Sequence, residues 1–152
     1  MAYTTAEARE QLLDTVAEAP DAIGVALAEL GEAYEQLDEP TADTLEEELF
    51  RPLQLAYGRA KRTYAAFADR HVLIARAFEP ATPGAPSRGV KGLLERAVEC
   101  AAKADSLLVA LQDSMLPVEV GDAELRAGLE EVRMLLAGLP GRAQQLVRTF
   151  GR

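Results

Sequence analysis

Apolar residues recur along this chain in alternating steps of three and four, a rhythm that only helices can use. The first seam runs Leu13, Val16, Pro20, Ile23, Leu27, Leu30, Tyr34, Leu37 without a slip, in phase through Pro20, so one proline-kinked helix is expected over about 5–38. The break Glu39-Pro40-Thr41 opens a second helix, about 42–79, with Thr41 or Asp43 as its cap. Its seam is Leu45, Leu49, Leu53, Ala56, Ala60, Tyr64, Phe67, His71, Ile74, Phe78, with Pro52 as a second tolerated kink. A third helix, about 89–116, carries Val90, Leu94, Ala97, Ala101, Ala104, Leu108, Leu111 and Met115, and is stopped by Pro117. A fourth, about 122–150, starts at an Asp122 cap and carries Leu125, Leu129, Val132, Leu136, Leu139, Ala143, Leu146 and Phe150, kinking at Pro140-Gly141.

Four long helices in one domain, 1–152, specify an all-α fold, here an antiparallel up-down-up-down four-helix bundle of Pro-kinked helices. The one long loop is Glu79-Pro-Ala-Thr-Pro-Gly-Ala-Pro-Ser, whose three prolines exclude helix. Trp is absent and aromatics are only 5% of the chain, so Ala and Leu must fill the core. Neither a secretory leader nor a span of ~18 uncharged apolar residues is present. The single cysteine, Cys100, excludes an intramolecular disulfide, and a cytoplasmic location is expected.

Charge is distributed by segment. The first 50 residues hold fourteen acids against Arg9 alone, a net −13, whereas the other 102 residues carry +4, within a total of −9. In the expected topology one end collects Glu35, Asp38, Glu39, Asp43, Glu46, Glu47, Glu119, Asp122 and Glu124. The other collects Arg70, Arg76, Arg88, Lys91, Arg142, Arg148 and Arg152. Of these, Arg76, Arg88, Lys91, Arg142 and Arg148 are the candidate surface for an anionic partner or for self-association. Negative net charge, with no exposed aromatics among the bases, argues against nucleic acid.

Ordinary catalytic chemistry finds few components. A carboxylate di-metal bundle needs Glu-x-x-His on two helices, and the only histidine, His71, is preceded three residues earlier by Ala68. The acidic run from Asp38 to Glu48 lacks the spacing of a calcium loop and reads as solvated surface. No metal, cofactor or catalytic set is therefore expected. A lone histidine on a long bundle helix, followed by His71-Val-Leu-Ile-Ala-Arg, resembles histidine phosphotransfer domains, in which Leu73 fits the usual apolar position. Ile74 and Ala75 depart from the lysine and glycine that follow there, and helical phase puts His71 in the apolar arc rather than in solvent. Phase also puts His71 near Arg96 and Ala97, and Cys100 level with Gly138, so that Tyr64, His71 and Cys100 border a possible small-molecule pocket inside the bundle. The functional expectation is a non-enzymatic interaction or scaffold module. A small-molecule-binding bundle is the first alternative and phosphotransfer the second.

Overall fold

The computed structural model describes residues 4–83 and 89–150; it is all-helical among them, with five helices of twelve residues or more packed together. Helix α1 (Thr5–Glu35) begins at a capping box: Glu7 N–H donates to Thr4 Oγ1 (3.1 Å) and Thr4 N–H to Glu7 Oε2 (3.2 Å). It runs unbroken through the buried Pro20. The next helix starts earlier than expected. Asp38, not Thr41 or Asp43, is the cap of α2 (Glu39–Leu45), accepting from Thr41 N–H at 2.9 Å, and Pro40 occupies the first turn, where its missing N–H costs nothing.

A π-turn, Glu46–Phe50, joins α2 to α3 (Arg51–Arg70). Pro52 can give no N–H to the carbonyl four residues back, that of Glu48, and this carbonyl accepts from Arg142 Nη1 at 3.4 Å. The chain thus passes a proline by widening one turn, and the seam Leu45, Leu49, Leu53 stays buried throughout.

Helix α3 stops at Arg70, nine residues short of the expected end at 79. His71 is its C-cap, Val72 is left-handed (φ 54), and Leu73 N–H closes back on Ala68 O at 2.8 Å. Residues 73–83 then run back along α3 and α1. The Tyr64 hydroxyl accepts the Arg76 N–H (3.0 Å), Phe78 meets the Tyr64 ring edge-on (5.0 Å), and the Arg76 guanidinium pairs with Asp21. Leu73 and Phe78 pack partly buried against the core in this non-helical path, while Ile74, expected on the seam, is 96% exposed.

Helix α4 (Gly89–Asp113) ends before the expected 116, because Met115 turns left-handed (φ 67) and Leu116–Glu119 forms a separate turn, α5. Helices α6 (Ala123–Ala137) and α7 (Leu139–Phe150) replace the expected 122–150 helix; Gly138 alone separates them, so Leu136 and Leu139 both remain in the core.

The pairings correct the expected topology. Glu29 of α1 lies 3.6 Å from Arg96 of α4, and Arg9 at the start of α1 reaches Val120 O beyond the end of α4. These helices are therefore antiparallel. Helix α3 is also antiparallel to α1, with Tyr57 beside Gly24, so α3 and α4 point the same way, and up-down-up-down order is excluded. The fourth side is closed by α6 against α3 (Arg59 to Glu131, 2.7 Å) and against α4 (Arg133 to Asp105, 3.1 Å).

Two positions make direct predictions about stability. A Cβ on Gly128 would lie 2.7 Å from Thr63 Cγ2 and closer still to Thr63 Oγ1, so α6 approaches α3 as only glycine permits. Gly128→Ala should cost about 1–3 kcal/mol, partly recovered in combination with Thr63→Ala, as read by urea unfolding. Val72 is β-branched, left-handed and 91% exposed, so it loses backbone energy without gaining packing. Val72→Gly should raise stability by up to about 1 kcal/mol in the same assay.

Candidate functional site

The densest polar cluster centres on Asp122. As N-cap of α6 it accepts from Leu125 N–H (2.7 Å), and it also takes two bonds from Arg70 (Nε and Nη2, both 2.8 Å). His71 Nε2 lies 2.9 Å from Oδ2, and Glu124 holds the remaining Arg70 nitrogen at 2.9 Å. Burial pushes the Asp122 carboxyl up, but the Arg70, Leu125 and His71 hydrogen bonds outweigh it and hold the group far below the usual carboxylate range. The Asp122 hydrogen bond, against the opposing effect of burial and with the Asp122 and Glu124 charges, raises Arg70 in turn.

His71 is accordingly no core histidine on a continuous helix. Its ring rests on Phe67 (centroids 4.6 Å apart), its side chain is 18% exposed, and Nε2 is engaged by Asp122. Tyr64 is buried beneath Phe78, its hydroxyl taken by Arg76. Cys100 lies elsewhere, half-buried on α4; burial raises its thiol pKa, and the nearby Arg96, Glu29, Glu99 and Lys103 charges act in both directions. Glu29 lies in the C-terminal half of α1, facing Arg96 of α4, whereas His71 and Asp122 sit at the opposite end of the molecule. The structure does not bring Tyr64, His71 and Cys100 around one pocket. A gap bordered by Ala97, Val98, Ala101 and Leu139 holds only about 10 Å³, roughly one water.

The expected basic surface is also dispersed. Arg76 pairs with Asp21, Arg70 with Asp122, and Arg142 approaches Glu48 (4.0 Å). Lys91 and Arg148 are exposed near the start of α4 and the end of α7, and Arg88 lies outside the described residues. Because α4 runs opposite to the expected direction, Lys91, Arg142 and Arg148 share an end with the acidic turn Glu35 to Glu47, while Glu119, Asp122 and Glu124 sit at the other. Among the described residues, the expected separation of an acidic end from a basic end is not found.

Sequence reasoning missed a groove of about 500 Å³ between α4 and α7. Leu94, Val98, Ala143 and Val147 make its floor, and Glu95, Glu99 and Gln144 stand on its rim. A signal was present: Val98 and Val147 each lie one residue past a seam position, Ala97 and Leu146, where an apolar side chain has no place in a two-sided helix. A smaller groove of about 280 Å³ lies between Tyr34 and Phe50, rimmed by Glu35 and Glu46. Among the described residues, no three His, Cys, Asp or Glu side chains converge as a metal site, and no helix is long and apolar enough to cross a membrane.

The Asp122 joint makes a pH prediction. With its folded pKa depressed, its stabilisation is fully present above the ordinary value of 3.8 and fades as pH falls below it. Asp122→Asn should lose about 2–3 kcal/mol at neutral pH, since Arg70 loses its carboxylate partner and the α6 N-terminus a negative charge, although the amide oxygen can still accept one bond. The gap between wild type and variant, read from urea midpoints, should shrink below about pH 4.

No protein-family model, curated protein or solved structure matches this chain.

Proposed function

We propose that this chain is a non-enzymatic helical interaction module, a single bundle with one long crossover, which receives a partner protein in the groove between α4 and α7. The supporting observation is the groove itself: its floor is apolar, with Leu94 and Ala143 buried and Val98 and Val147 only partly covered between α4 and α7. Its length suits a protein segment. From Pro140 to Val147 the helix rises about 10 Å, two turns, the span over which a docked helix places anchors at i, i+3 or i+4, and i+7.

The groups most like an acid–base device, His71 and Asp122, are instead occupied in tying α3 to α6, which favours binding over catalysis. A phosphotransfer role would require Asp122 to release Nε2 or the phosphoryl group to go to Nδ1. The small-molecule reading keeps one supporting observation, since the groove volume falls in the usual ligand range. The groove's open form would leave much of a small ligand wet, which favours a helix as occupant. The single free cysteine agrees with work in the reducing cytoplasm.

A photo-crosslinking residue at Gln144, on the groove rim, and another at the exposed Glu18 of α1 would test the proposal in cells that make the protein natively. The expected outcome is a discrete protein adduct from position 144 that position 18 does not give. Identical adducts from both positions, or none from 144, would remove the groove as a docking surface.

A further inference from the structure

We infer that the occupant of the α4/α7 groove is a basic amphipathic helix, an inference that rests on the docking role proposed above. The charged residues lining the groove are both glutamates, Glu95 and Glu99. They stand four residues apart on one exposed face of α4, a like-charge spacing that weakens a helix by a few tenths of a kcal/mol. Lys91 and Lys103 lie one turn to either side, yet no ion pair holds either glutamate among the described residues. A cationic helix lying over Val98 and Val147 would place Lys or Arg heads over both carboxylates while its apolar face fills the floor, satisfying charge and area together.

The surroundings extend the same bias. The neighbouring groove at Tyr34 and Phe50 is rimmed by Glu35 and Glu46, and the adjoining α1–α2 turn and π-turn carry Asp38, Glu39, Asp43 and Glu47. Of the bases beside the groove, Arg142 is turned toward Glu48 and Arg96 toward Glu29. Such a field speeds the approach of a cationic segment and repels an acidic one. A second copy of this chain is a poor occupant on the same grounds, since each copy carries −9.

Two peptides of about 18 residues, long enough to form helix on binding, provide the test. One has leucines at steps of three and four with lysines elsewhere; the other keeps the leucines and replaces lysine by glutamate. Each carries one Trp, whose fluorescence is unobscured because the protein has none. The lysine peptide should bind at least about tenfold more tightly than the glutamate peptide at low salt, weakening at high salt. Glu95→Gln with Glu99→Gln should weaken it about tenfold, while the equally charge-reducing pair Glu10→Gln and Asp14→Asn on α1 should change it less than about twofold. Equal losses from both pairs would show attraction to acidic surface in general and overturn the inference. Glutamate-peptide binding that matches the lysine peptide and is abolished by Val98→Asp would overturn the basic partner while leaving the groove as a docking site. Binding of either peptide that ignores both Val98→Asp and the Glu95/Glu99 pair would overturn both. A doubled mass in light scattering, lost in Val98→Asp, would replace the basic helix by a second copy.

Discussion

The packing of α4 along α1 is the contact on which the remaining architecture depends. Both helices present small residues to it, with Ala19, Ala22, Ala26 and Ala33 on α1 and Ala97, Ala101 and Ala104 on α4, all buried. Small side chains let backbones approach closely, so dispersion and area burial are gained over many turns at once. Since that contact is antiparallel, α4 must begin near the end of α1. The chain leaving α3 is then at the wrong end of the molecule and must return along its length. The early stop at Arg70, the left-handed Val72 and the extended path past Tyr64 all serve this return.

Asp122 is the other fixed point. One carboxylate caps α6, neutralises Arg70 and engages His71, so the end of α3 and the start of α6 are joined by charge-assisted bonds in a partly buried setting. Glu29 is less well served, buried in the α1/α4 interface with Arg96 3.6 Å from one oxygen and no hydrogen-bond partner for the other. Opposite charges also join the helices, at Arg59 with Glu131 and Arg133 with Asp105, and hold the return segment to α1, at Arg76 with Asp21. Bases that looked like a free surface in the linear chain are therefore partly consumed by internal pairing. The unpaired charge that remains beside an apolar floor is acidic, at Glu95 and Glu99.

What the amino-acid sequence determined by itself was local and periodic. Heptad-spaced Leu and Ala placed the helices and identified most of the core. Asp122 was legible as a cap because an acid before an apolar seam satisfies orphan N–H groups. Pro20 was correctly kept inside α1, because the apolar phase continued through it. Periodicity failed where a different conformation served the same side chains: Leu73 and Phe78 bury from an extended path, so an apolar rhythm continuing to Phe78 did not mean helix to Phe78. The direction of α4, the pairing of Arg70 and Arg76, the separation of Cys100 from His71 and the groove at Val98 and Val147 were settled only by tertiary structure. Each depends on which helix faces which, and a helix seam records that a face is buried without recording its neighbour or its direction.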